Sequence, residues 1–240
     1  MSKRPLAYLF LFFFASILFV SCGEANKNNR LTKEEEAQGW ALLFDGQSAK
    51  GWHLYNKKNT TAGWIVKEGA LAVDTVNKTE VNDLVSDREF KNFELQFEWK
   101  LSKNGNSGVF INVLERPDLT TAWASGPEYQ LLDPAHIDNA NPVKRAGTLF
   151  AIDSQKNKVM ANPSGAWNHS RIKQVDGKVE FYLNGVLTVQ EDLGSAAWQD
   201  SVARTHFKKF PEFGKRTSGH IALQDWASGI AFRNIKIKEL

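Results

Sequence analysis

The chain has 240 residues, a formal net charge of +3, and 42% hydrophobic, 12% aromatic and 24% charged side chains. This is an ordinary globular composition, long enough for one large domain or two small ones. The single cysteine, Cys22, has no partner for an internal disulfide, so no disulfide framework holds the fold.

Lys3 and Arg4 precede an apolar run, Leu6–Val20, which ends at Ser21 and Cys22. That order is a basic segment, a hydrophobic segment and a small residue before a cleavage point. The run is shorter than the roughly 20 residues that cross a bilayer, so export is expected rather than a membrane-spanning anchor. Phe19-Val20-Ser21-Cys22 resembles the lipobox of bacterial lipoproteins, with Phe19 where Leu is usual. The resemblance implies lipid attachment at Cys22 and an exported protein tethered to the outer membrane, with the side it faces left open. Removing residues 1–21 takes away Lys3 and Arg4, and the formal charge falls from +3 to +1. A near-neutral chain lacks the basic surplus that a nucleic-acid partner requires.

Gly23–Leu31 is polar and rich in Asn and Lys, and reads as a flexible tether. Thr32 followed by Glu35 forms a capping box and predicts a short helix to about Gln38. Residues 22–38 are thus a tether with a helix, and residues 39–240 are expected to be one domain built of strands.

Phe93–Leu101 alternates strictly, apolar at odd positions and polar at even ones, which predicts a strand with one buried face. Val179–Leu183 and Val186–Val189 flank Asn184-Gly185, a strong hairpin signal. In Ile230–Lys238 the alternation slips phase, and a bulge near Arg233–Asn234 would restore it. Shorter strands are expected at Trp64–Val66, Ala70–Val73, Val109–Val113, Glu128–Leu132, Gly147–Ile152 and His220–Leu223, with Asn139–Lys144 and Ala161–Ala166 as loops. Many short strands without a long helical pattern or a fixed repeat indicate an all-β sandwich or barrel.

Phosphate-binding glycine loops, the Gly-x-Ser-x-Gly elbow, His-Glu-x-x-His and EF-hand spacing are all absent from the sequence. Two strands instead carry polar side chains. Period-two counting puts Glu128 and Gln130 opposite Tyr129, Leu131 and Asp133, and His220, Gln224 and Trp226 opposite Ile221 and Leu223. Carboxylate, amide, imidazole and indole groups on one face suit a sugar; a solvated outer face would look the same. His136, after Asp133-Pro134, and His220 are the histidines best placed for proton transfer, and a structural role is equally open for each. His53 and His169 read as surface residues, and His206 lies in a basic loop. Trp99 belongs to the core. Trp40, Trp52 and Trp64 are expected to pack the sandwich edge, and Trp123 and Trp226 lie beside the polar clusters.

Taken in order, these segments resemble one family. They are Leu43-Phe44-Asp45-Gly46, Gly51-Trp52, Trp64 with Glu68-Gly69, Asp83-Leu84, Phe93-Glu94-Leu95 with Trp99, Asn106-Ser107-Gly108-Val109-Phe110, Glu128–Asp133, Ala146-Gly147, Trp167-Asn168, Leu183-Asn184-Gly185, Gly219–Asp225 and Phe232–Ile237. The chain from Gly39 to Leu240 is similar to the 3-keto-disaccharide hydrolase domain, common in Bacteroidetes lipoproteins. The resemblance implies a concanavalin-like jelly-roll β-sandwich that cleaves glycosides already oxidised to a ketone at C3. It also implies an oligosaccharide or glycoside as partner and a sugar 3-dehydrogenase as the source of the keto sugar.

Under that resemblance the base is Glu128 or His136, and His220 is a candidate acid. Gln130 and Gln224 orient the sugar, with Trp123 and Trp226 beside it, and Asp225 holds a neighbouring side chain or a metal. A divalent cation at Glu128 would suit the enolate, although no metal-ligand spacing demands one. Many relatives read Leu-Gln-Asp-His-Gly where this chain has Leu223-Gln224-Asp225-Trp226-Ala227. That departure keeps open a non-catalytic, lectin-like lipoprotein. A conventional two-carboxylate glycosidase is disfavoured, because Gln130 and Leu132 follow Glu128 on its face of the strand.

Overall fold

The computed structural model describes residues 28–57 and 60–240; the expected signal peptide and Cys22 lie outside them. The described residues form thirteen strands: β1 (Trp40–Leu42), β2 (Trp52–Leu54), β3 (Trp64–Lys67), β4 (Ala70–Val73), β5 (Leu84–Phe90), β6 (Phe93–Leu101), β7 (Asn106–Val113), β8 (Glu128–Leu132), β9 (Asn168–Val175), β10 (Lys178–Leu183), β11 (Val186–Asp192), β12 (Gly219–Leu223) and β13 (Ile230–Glu239). They pair antiparallel into an eight-stranded sheet, β11-β10-β9-β6-β13-β4-β3 with β1 also on β13, and a five-stranded sheet, β2-β5-β12-β7-β8. The result is an all-β jelly-roll sandwich.

Alternation decides which faces meet. On β6, Phe93, Leu95, Phe97, Trp99 and Leu101 are buried and the intervening residues are not. On the five-stranded sheet the inward set is Val109 and Ile111 of β7, Tyr129 and Leu131 of β8, and Ile221 and Leu223 of β12. Tyr129 meets Phe97 edge-on across the sandwich at 5.9 Å, and its hydroxyl bonds Ser170 Oγ at 2.7 Å and donates to the Tyr182 carbonyl. With Tyr129 fixed in the core, its neighbours Glu128 and Gln130 must face outward.

The expected bulge in β13 is present. Its register against β6 shifts between Arg233 and Lys236, and Asn234 takes φ 53°. The bulge also corrects the expected tether, since Asn29 is buried there. Asn29 N–H donates to Asn234 Oδ1 at 2.6 Å, and Asn234 N–H donates to Asn29 Oδ1 at 2.8 Å. The Thr32–Glu35 capping box opens the short helix α1 (Lys33–Ala37) as expected.

Two further expectations fail. Gly147–Ile152 is not a strand. Its backbone bonds β8 at Gln130 and Glu128, but Ala151 at φ 59° turns the chain away, leaving isolated bridges at Leu149. Nor is everything beyond Gly39 extended, because α2 (Ala196–Ala203) is a helix capped by the Ser195 hydroxyl, with Trp198 and Val202 buried.

Candidate active site

The outward face of the five-stranded sheet carries its residues in transverse rows. One row follows the pairings His53–Val85–Ala222–Phe110–Glu128. Two residues along, Gln130 pairs with Gly108, and Gln224 N–H donates to the Gly108 carbonyl at 2.9 Å. Asp83 precedes Leu84, which pairs with Leu223, so Asp83 completes this second row. Glu128 and Gln130 of β8, Gln224 after β12 and Asp83 before β5 therefore come from three sequence segments onto one face.

Glu128 leans from its own row over Gly108. A Cβ on that glycine would lie 2.2 Å from Glu128 Oε1, so only a residue without a side chain leaves room. The Gln130 amide, oriented by its surroundings, donates from Nε2 to Glu128 Oε1 at 2.9 Å and to the Ser107 carbonyl at 3.1 Å. Glu128 is 7% exposed. Burial, reinforced by the charge of Asp83, raises its carboxyl well above the usual range.

Asp83 is pushed up to about 7. Burial is the main cause and the charge of Asp225 adds to it, against the lowering effect of the Asp225 N–H that it accepts at 3.1 Å. Asp225 is itself paired with Lys78 at 2.5 Å. Gln224 is 8% exposed and its side chain makes no hydrogen bond among the described residues, while Ser107 Oγ donates to its carbonyl at 2.7 Å and fixes its backbone. This face thus joins two carboxyls whose pKa values are raised and an amide with no partner among the described residues.

A model of the 3-keto-alpha-glucoside-1,2-lyase-like domain matches residues 39–238. The chain belongs to that family. It is 30% identical to the 3-keto-disaccharide hydrolase of Bacteroides thetaiotaomicron over 233 residues, 85% of this chain and 80% of the relative. A crystal structure of a candidate glycosyl hydrolase from Parabacteroides distasonis superposes with a TM-score of 0.82 at 33% identity, covering 89% of this chain and all of that one. A galectin-like protein of Bacillus subtilis, at 14% identity and a TM-score of 0.53 over 79% of this chain and 90% of that one, shares the fold alone.

Within this family member the remaining expected site residues are spread out. His220 lies one row away from Glu128 and two strands across, with its ring edge-on to that of His53 at 6.4 Å. Its Nδ1 bonds the Ser86 carbonyl at 2.7 Å. A carbonyl only accepts, so the neutral ring carries its proton on Nδ1 and leaves Nε2 free, 3.6 Å from Glu89. His136 caps a turn, its Nδ1 accepting from Asp138 N–H at 3.1 Å, and no hydrogen bond links it to Glu128. Trp123 is half-buried. It packs on an apolar outer cluster that includes Phe110 and Ala222, and meets Phe210 edge-on at 4.6 Å. Trp226 is 59% exposed on the loop after β12, whose next residue, Ala227, bridges to Asn106.

His53 is not a surface residue either. It is 8% exposed and spans Asp87 at 2.7 Å and Glu115 at 3.0 Å. Burial opposes its charge, but the hydrogen bonds of Glu115 and Asp87 outweigh burial and raise its pKa. Asp83 and Lys78 were given no role from the sequence, although Asp83-Leu84 was among the recognised segments. Among the described residues, no group of three or more His, Cys, Asp and Glu side chains is placed to hold a metal ion.

Proposed function

We propose that the protein cleaves glycosides whose sugar carries a ketone at C3, beginning with removal of the proton on C2. The placement of Asp83 and Glu128 on one face of the five-stranded sheet, both with raised pKa, carries this reading. The family description and the named hydrolase relative support glycoside cleavage. A neighbouring carbonyl acidifies the C2 proton, so a carboxylate of modest basicity suffices.

Asp83, ionised, takes that proton. The C–H electron pair passes into an enolate with its charge on O3, and the free Gln224 amide donates to that oxygen. The charge then returns to restore the C3 carbonyl. A C1–C2 double bond forms, the C1–O bond breaks, and the departing oxygen takes the proton of Glu128. Water added across the double bond gives the free 3-keto sugar. Gln130 holds Glu128 in place, and Lys78 neutralises Asp225 behind Asp83. An enzyme of the sugar 3-dehydrogenase class must supply the oxidised substrate.

Incubation with a 3-keto-glucoside and the matching unoxidised glucoside tests this. Only the keto compound is consumed, and Glu128→Gln abolishes its loss; turnover of the unoxidised glucoside overturns the proposal. The exposed Trp226, in place of the His of many relatives, favours a lectin-like binder as the second reading. Binding without turnover of either sugar would support it. The N-terminal sequence supports export and a lipid at Cys22, and a lipid label lost in Cys22→Ala tests that anchor.

A further inference from the structure

A cavity of about 400 Å³ lies beside the last residues of β8, lined by Leu132, Pro134, Arg145, Lys158, Met160 and Ala161 among others. Leu132 ends β8 two residues beyond Gln130, so the cavity begins about 7 Å beyond Gln130. Its size suits a sugar unit.

The charge inside is one-sided. Arg145 donates from Nε to the Asn139 carbonyl at 2.9 Å, which fixes the guanidinium while Nη1 and Nη2 meet no acceptor among the described residues. Lys158 is exposed and makes no ion pair there. The nearby acids are already engaged. Asp138 pairs with Lys144 at 3.1 Å, and buried Asp133 accepts from Asn104 N–H at 2.7 Å and Ala135 N–H at 3.3 Å. The walls are held by Gln155, whose Nε2 donates to the carbonyls of Ala146 and Val159, both at 2.8 Å. A fixed planar fork with free donors, over an apolar floor and without a competing carboxylate, matches an anionic oxygen pair.

We propose that this cavity is a subsite for an anionic sugar, one bearing a carboxylate or a sulfate, next to the reacting unit. The place of that sugar in a substrate rests on the cleavage proposed above; binding to the cavity does not. The test is equilibrium binding of glucuronate, glucose 6-sulfate and methyl glucoside by the full-length chain at low and high salt. At least one anionic sugar binds about tenfold or more tightly than methyl glucoside, and salt weakens the difference. Preference for glucuronate alone marks a carboxylate site, and preference for glucose 6-sulfate alone marks a sulfate site. Lys158→Gln, at an exposed position, and Arg145→Gln each reduce the preference several-fold. Equal affinity for all three sugars, or a preference unchanged in both variants, overturns the proposal. Glu128→Gln keeps the anionic preference, so loss of turnover and failure of this subsite are read separately.

Discussion

The Glu128 carboxyl occupies the space that a side chain on Gly108 would fill, with Oε1 only 2.2 Å from where a Cβ would stand and Cγ and Cδ each at 2.7 Å. Glycine on β7 therefore acts through its neighbour on β8, letting the acid bend across the row toward Gln130, Gln224 and Asp83. Gly108→Ala pushes the carboxyl out of that position. Turnover of a 3-keto-glucoside falls by about two orders of magnitude, the scale of a displaced acid or base, while circular dichroism shows the sandwich retained. Turnover within a few-fold of the parent would show that the lean of Glu128 is not required.

Asp83, pushed up to about 7, and Glu128, raised well above the usual carboxylate range by burial, set a pH profile. Activity needs Asp83 ionised, which sets in near pH 7, and Glu128 protonated, which alkali removes, giving a bell in kcat/KM. Asp83→Asn removes the base and with it most of the activity. It also acts on stability, with a definite sign. A carboxyl whose folded pKa lies above its unfolded value of 3.8 binds more protons in the folded state, so its contribution declines as pH rises from about 4 to about 7. Asp83→Asn is therefore less sensitive to alkali than the parent in urea melts across that window. A parent and variant that lose stability in parallel would remove this account.

The legible parts of the fold were those whose inward face is apolar. β6, with Phe, Leu, Phe, Trp and Leu on its buried face, was found from its alternation alone. β9 was not, because its buried positions include Asn168, Ser170 and Gln174, which break the apolar rhythm without exposing the strand. The same limit applies at the site. Glu128, Gln130 and Gln224 could be placed on outward faces by counting, but Asp83 joins them only through the pairing of β5 with β12, a long-range contact that local periodicity cannot carry. His53 was misplaced for a related reason, since its two carboxylate partners come from Asp87 and Glu115, far away in the chain.

His53 makes a second, independent pH prediction. Its folded pKa is raised above 6.5, with burial opposing and the Glu115 and Asp87 hydrogen bonds prevailing. A raised histidine stabilises fully below its unfolded pKa, and the benefit is lost as pH rises through the folded value. His53→Gln is thus less stable than the parent by about 2 kcal/mol at pH 5, the scale of hydrogen bonds to charged groups. The gap narrows at alkaline pH. Urea denaturation at several pH values reads it, and a constant gap would show that the ring is uncharged in the fold.

The two sheets are joined by a polar bond as well as by the aromatic core. Gln174 of β9 accepts from Asn112 Nδ2 of β7 at 2.7 Å, and its own Nε2 donates to the carbonyls of Lys91 and Thr217 at 2.6 and 3.0 Å. Both amides are almost fully buried, so water cannot replace a lost partner. Asn112 also sits at φ 56°, a backbone state that asparagine tolerates better than most side chains. Gln174→Leu fits an apolar group of similar length but strands the Asn112 amide and two carbonyls. It costs about 3 kcal/mol, the scale of an unsatisfied buried polar group, which chemical denaturation measures directly. Because β7 also carries Gly108, the variant lowers turnover more than its unfolded fraction explains. A loss below about 1 kcal/mol would mean that the two sheets keep their register without this bond.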